Sequence, residues 1–221
     1  MKIVFLDDNS IGADIDLSGF EALGEVIRYG SSKSEEVPER VKDADVVIIN
    51  KMEINEQTIG MAENLKLVCV TATGTNNLDK EFLAKRNIAW RNVAGYSTEC
   101  VAQHTFALLF YLLEKMSYYD NYVKSEKYVN DAMFTHFANH FHELSGMTWG
   151  IIGLGAIGRR VAGLDVLSAE PMREDNPFRQ IKDSEKLVIT PHIAWAAVET
   201  RKRLMDIILK QVEEFFAVEH K

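Results

Sequence analysis

The sequence predicts an α/β fold: a flavodoxin- or Rossmann-like doubly wound parallel sheet, followed by a truncated remnant of a second Rossmann domain. Three observations predict it. Short β-rich runs alternate with helical segments over about the first 95 residues. The runs VVII and KLVCV are almost continuously apolar, as expected for strands covered on both faces. Further on, a strand-like run leads into Gly153-x-Gly155-x-x-Gly158. Strand alternating with helix implies parallel pairing through right-handed crossovers.

The elements follow in order. Strands are predicted at 2–6, 25–29, 45–49, 65–70 and 88–91, with helical segments at 37–42, 56–63 and 80–85. A long helix is predicted over 97–116, with Ser97 as N-cap and Glu99 in the first turn favouring the positive end of the dipole. Val101, Thr105, Leu108, Leu109, Leu112, Leu113 and Met116 make its apolar face. A tyrosine-rich stretch of weaker periodicity runs to about residue 145. After the glycine turn, 187–193 reads as a strand and 201–216 as a closing amphipathic helix, with Leu204, Met205, Ile208, Val212 and Phe215 on one face.

Composition narrows the function classes. The chain has 221 residues, a formal charge of −8 and a pI near 5.3, which argues against nucleic acid and anionic membrane as main partners. Cys69 and Cys100 cannot make a disulfide framework and read as buried thiols of a reducing compartment. MKIVFLDD reads as a first strand rather than a signal peptide, and the longest apolar stretch, 106–113, is too short to span a bilayer. A cytoplasmic location is expected.

Each motif has a plain reading beside a functional one. In the glycine motif, the first Gly permits a tight turn, the second admits a pyrophosphate, and the third lets helix pack on strand. The plain reading is a ligand-free βα turn. Glu170-Pro171 and Pro191-His192 offer a carboxylate and an imidazole; such a pair fixes the tautomer, raises the imidazole pKa and suits a general acid. A single His at a strand end is otherwise structural. Thr73-Gly74-Thr75-Asn76-Asn77 closes the fourth strand at its C-terminal end, where open α/β sheets bind ligands, or is simply an Asn-rich turn. Asp7-Asp8 invites a phosphoacceptor reading, but the end of the third strand carries Asn50-Lys51 where that chemistry needs an Asp. His136, His140 and His142 have zinc-like spacing without a convincing fourth ligand, so no metal is expected.

Together these residues resemble the D-isomer-specific 2-hydroxyacid dehydrogenases along nearly the whole chain. TATGTNNLD is similar to the family's substrate-side glycine loop, and NVAGYSTECVAQHTFALLF to its interdomain stretch. GMTWGIIGLGAIGRRVA, LDVLSAEP and ITPHIAWA resemble its cofactor, acid and histidine motifs. INKMEI and PHIAWA point to the glycerate dehydrogenase or hydroxypyruvate reductase branch. The resemblance implies an NAD- or NADP-dependent oxidoreductase acting on a small 2-keto or 2-hydroxy acid. It implies His192 as proton donor and acceptor, with Glu170 its partner. Lys51, Thr73, Gly74 and Thr75 would hold the substrate. Thr73, Gly153, Gly155, Ala156, Ile157, Gly158 and Asp165 would face the cofactor. It implies a homodimer, a substrate domain of 1–95 with 196–221, and a dimerisation helix plus truncated cofactor domain over 96–195.

The chain departs from the family pattern in its middle. Only 23 residues run from Thr148 through Glu170, whereas one βαβ unit takes roughly 30. The strand whose acidic end would bind the adenosine ribose is missing, and so is an N-x-x-R-G strand end carrying the substrate-binding Arg. Arg91, Arg159 and Arg160 sit in other motifs. The expectation is a dehydrogenase by descent whose own chain has no turnover; the alternative is a non-enzymatic dimeric remnant.

Overall fold

The computed structural model describes residues 1–148, 150 and 193–219. Five parallel strands form one sheet: β1 Lys2–Phe5, β2 Glu25–Arg28, β3 Val46–Ile49, β4 Leu67–Val70 and β5 Ala89–Asn92. Their order is β2-β1-β3-β4-β5. This is the flavodoxin-like order, in which the chain reverses its direction of travel between β1 and β3. Every residue of β3 and β4 is buried, which matches their unbroken apolar sequences. The edge strands are more polar: β2 exposes Glu25 and Arg28, and β5 exposes Arg91.

One face of the sheet turns Val4, Leu6, Val47, Ile49, Val68 and Val70 toward Val37, Val41, Ile59 and Leu83. Those partners come from three short helices: α1 Val37–Val41, α2 Glu56–Ile59 and α3 Lys80–Lys85. Local capping sets their starts. The Asn55 side chain accepts from the N–H groups of Gln57 and Thr58, at 2.9 and 3.1 Å. Asp79 accepts from that of Phe82 at 3.0 Å. Helix α2 ends at Ile59, four residues short of the end predicted, and Ala62 and Leu65 turn into the core ahead of β4.

The last helix, α6 Val198–Glu219, returns to this sheet. Its stripe of Leu204, Met205, Ile208 and Val212 is at most 2% exposed. The Arg201 guanidinium forks the Asp14 carboxylate at 2.6 and 2.8 Å and reaches the Ile11 carbonyl at 2.7 Å. Arg203 and Gln211 donate to the carbonyls of Tyr96 and Asn92. Gly19 stands against Leu209, and Phe20 meets Phe5 edge to face at 5.2 Å. Residues Met1–Tyr96 with Val198–Lys221 form one compact unit, and Ser97–Ala197 form a second.

In the second unit the long helix predicted over 97–116 is α4 Thr98–Leu113, and a second helix, α5 Met116–Lys124, occupies the start of the tyrosine-rich stretch. Lys115 between them is left-handed, with φ 53°, which ends the first helix and re-aims the second. Ser97 occupies the N-cap position, but its side chain makes no capping hydrogen bond. On α4 only Ala102 and Thr105 are buried, whereas Leu108, Leu109, Leu112 and Leu113 are half-buried. Cys100 is also half-buried rather than buried; Cys69, in β4, is fully buried. His136 stacks on Tyr122 with ring centres 3.8 Å apart and shares a 2.8 Å hydrogen bond with the Tyr118 hydroxyl. Among the described residues no group of three His, Cys, Asp or Glu side chains is placed to hold a metal, and no helix is long and apolar enough to cross a membrane.

Candidate active site

The C-terminal ends of β3 and β4 carry two loops side by side. The loop after β3 presents Asn50-Lys51-Met52, and the loop after β4 presents Thr73-Gly74-Thr75. The Lys51 side chain is exposed, and no carboxylate pairs with it among the described residues. Thr73 and Gly74 are exposed and Thr75 is half-buried. Thr73 is tied to the segment after β5. Its hydroxyl donates to the Val93 carbonyl at 3.1 Å, and its carbonyl accepts from the Asn92 side chain at 2.7 Å. Among the described residues nothing takes up the backbone N–H groups of Gly74 and Thr75. Open amides on one loop and an ammonium on the neighbouring loop are groups that can receive a carboxylate.

Both loops are braced from behind by residues whose role the sequence did not disclose. Asp7 follows β1, and its carboxylate faces the loop after β3. It accepts from Asn50 at 2.8 and 3.0 Å, from Lys51 at 2.8 Å and from Met52 at 3.3 Å, all backbone N–H groups. Burial pushes the Asp7 carboxyl above the ordinary carboxylate range; the amide hydrogen bonds pull the other way, and neighbouring Asp8 adds a further upward push. Asp8 instead pairs with Arg28 of β2 at 2.5 Å. Asn77 holds the carbonyls of the same loop: its side-chain amide donates to those of Asn50 and Met52 at 3.2 and 2.8 Å. The one sequence signal for Asp7 was an acid directly after the first strand. For Asn77 it was its place in an Asn-rich turn.

The structure thus brings Lys51, Thr73, Gly74 and Thr75 to one edge of the sheet. Glu170, His192, Gly153, Gly155, Ala156, Ile157, Gly158 and Asp165 lie outside the described residues.

The family profile described as D-isomer specific 2-hydroxyacid dehydrogenase, catalytic domain, matches residues 3–220. Among relatives, a hydroxypyruvate reductase of Blautia hydrogenotrophica is 27% identical over 314 residues, covering 97% of each chain. A chain of 221 residues aligned over 314 leaves at least 93 positions of that alignment without a residue of its own. A glycerate dehydrogenase of Methylorubrum extorquens is 32% identical over 181 residues, covering 79% of this chain and 57% of the relative. The chain therefore spans little more than half the length of that relative. Among solved structures, D-lactate dehydrogenase of Aquifex aeolicus, complexed with NAD and lactic acid, superposes with a TM-score of 0.71 at 18% identity, over 97% of this chain and 95% of that one.

Proposed function

The chain belongs to the D-isomer specific 2-hydroxyacid dehydrogenase family, and on that premise we propose that residues 1–95 with 196–221 are a substrate domain for a small 2-keto or 2-hydroxy acid. Hydroxypyruvate and glyoxylate are the preferred candidates. The observation that carries the proposal is the pairing of the Lys51 loop with the open amides of Gly74 and Thr75 at adjacent strand ends. In open parallel sheets, ligands bind beyond the carboxyl ends of the strands.

The proposed reaction is that of the lineage, an oxidoreduction at the 2-carbon. Lys51 and the Gly74 and Thr75 amides would hold the acid's carboxylate and turn its keto carbon outward. His192, paired with Glu170, would give a proton to the keto oxygen. A nicotinamide, NAD or NADP, would supply the hydride when bound. Its holders would be Gly153, Gly155, Ala156, Ile157, Gly158 and Asp165, with Thr73. The residues in hand do not complete such a site. The Thr73 hydroxyl is committed to Val93 and its carbonyl to Asn92, and the 23 residues from Thr148 through Glu170 are too few for a dinucleotide-binding sheet. The chain as it stands is therefore proposed to bind the acid without turnover.

A second reading, a non-enzymatic dimeric remnant, has an observation of its own. The second unit exposes Phe134 and Phe137 by 88% and 74%, and Phe106, Phe110, Tyr111 and Phe141 are exposed as well. Apolar surface of that extent marks an interface. A homodimer and a cytoplasmic location are proposed under either reading.

The test uses protein whose intact mass matches 25.1 kDa. D-glycerate is titrated against the amide resonances of Gly74 and Thr75, and NADH oxidation is followed with hydroxypyruvate. Saturable amide shifts without turnover are expected. Tight NADH binding with ordinary turnover would overturn the inactive reading. Amides that ignore D-glycerate would overturn the acid site.

A further inference from the structure

We propose that Asp7 is a positioning residue: its carboxylate fills an amide nest at the fold's own ligand crevice and, through Asn77, fixes the Thr73–Thr75 turn. The inference rests on the acid-site reading above but concerns a different residue.

Three observations lead to it. The first is topology. The order β2-β1-β3-β4-β5 reverses between β1 and β3, so the crevice beyond those two strand ends is where this fold ordinarily takes a ligand. Asp7 stands at the end of β1 and Asn50 at the end of β3. A side chain of the protein itself thus links those two strand ends.

The second is the chemistry of the closure. The N–H groups of Asn50, Lys51 and Met52 are consecutive and converge on one carboxylate. Successive amides pointing inward make an anion-binding concavity. Here the anion is built in. Only an acceptor group suits three converging donors, and an ionised Asp is acceptor-only.

The third is continuity into the neighbouring loop. The peptide groups that donate to Asp7 lie in the same short stretch whose carbonyls, at Asn50 and Met52, accept from Asn77. The backbone of Asn77 is engaged too: its carbonyl accepts from Ile54 at 2.9 Å, and Ile54 bridges to Leu78. Thr75 is tied in through its carbonyl, which accepts from Leu78. The path from Asp7 to the turn therefore runs through hydrogen bonds from one strand end to the next. A shift of the Asn50–Met52 loop must move Asn77 or break its two bonds.

The experiment uses the full chain, labelled with 15N, in wild-type, Asp7→Ala and Asn77→Ala forms, and the probe is formate. In Asp7→Ala the nest is vacated. Formate is expected to bind there, shifting the amides of Asn50, Lys51 and Met52 in a saturable manner and returning those of Thr73, Gly74 and Thr75 toward their wild-type positions. In Asn77→Ala the Thr73–Thr75 amides should move while formate leaves the Asn50–Met52 amides unchanged, because Asp7 still fills the nest. D-glycerate affinity should fall about tenfold in both variants and recover with formate only in Asp7→Ala. Folded Asp7→Ala whose Asn50–Met52 amides ignore formate would overturn the built-in anion. Thr73–Thr75 amides unmoved in both variants would overturn the coupling. If Asp7→Ala does not fold, Asn77→Ala still decides the coupling, and failure of formate to restore folding overturns the anion role. Wild-type protein that ignores D-glycerate refutes the acid-site reading alone, since the formate and amide results stand without it.

Discussion

Truncating Ile208 to alanine should uncouple α6 from the sheet at a predictable cost. Ile208 is fully buried, between Leu204 and Val212 on the same stripe, themselves 1% and 0% exposed. Three carbons are removed, worth about 2.4 kcal/mol at roughly 0.8 kcal/mol each. The stripe is enclosed on either side, so the void collapses only in part and adds a cavity cost. The sum falls at about 3–4 kcal/mol, inside the range of about 2–5 observed for such truncations. Against a typical total stability of roughly 5–15 kcal/mol, that is a large fraction. The assay is urea unfolding followed by far-ultraviolet circular dichroism, where a slope near 2 kcal/mol/M turns the loss into a midpoint shift of about 1.5–2 M. Lys210→Ala is the control. Lys210 lies on the same helix, 73% exposed, with only a 3.6 Å pair to Glu214, and its removal should cost less than about 0.5 kcal/mol. If Ile208→Ala moves the midpoint no further than Lys210→Ala, α6 does not bury its stripe against this unit and the packing argument is wrong.

Three further outcomes are expected. Gly24 has φ 156° and a Cβ there would lie 2.0 Å from the Met1 carbonyl oxygen; Gly24→Ala should lower the thermal midpoint well beyond Gly74→Ala, whose Cβ would meet only Asn76 Oδ1 at 3.3 Å. Burial pushes the Cys69 thiol up to about 12, so at pH 8 a thiol reagent should modify half-buried Cys100 first and Cys69 only on unfolding; fast labelling of both in folded protein would contradict this. The Arg201 hydrogen bond holds the Asp14 carboxyl below its ordinary 3.8, so its stabilisation is present above that value and is lost as the pH falls through the lower folded value. Asp14→Asn should therefore lie below wild type in stability at pH 6 and converge with it in acid. A constant gap at every pH would exclude the linkage.

The central strands were legible because burial on both faces leaves unbroken apolar runs, as in VVII of β3 and LVCV of β4. The α6 stripe was legible because its periodicity places Leu204, Met205, Ile208 and Val212 on one side. The break at Lys115 was not, since Leu112, Leu113 and Met116 continue the apolar spacing across it and only the left-handed backbone interrupts the helix. Cys100 shows the same limit: apolar neighbours in sequence do not fix the angle at which a residue leaves a helix. Within the candidate site, the strand end located Thr73–Thr75 in the sequence, whereas Lys51 was named only through the family resemblance. Asp7 could not, because its partners are backbone amides 43 to 45 residues away, and a main-chain donor leaves no mark on residue identity.

The unit that holds the sheet is made from two ends of the chain, with 101 residues of the other unit between them. Arg201 meets Ile11 across 190 positions of sequence. During synthesis the five strands leave the ribosome well before α6 exists, so the nascent sheet spends several seconds without its last apolar cover, at roughly 5–20 residues per second. Chaperone dependence should concentrate in that interval. The cost of loop closure grows only logarithmically, by about 0.6 kcal/mol per doubling of length. A chain shorter in its middle than its relatives thus gains almost nothing in the energy of bringing its ends together. What it gains is time, because the final helix arrives sooner by the interval those missing residues would take to translate.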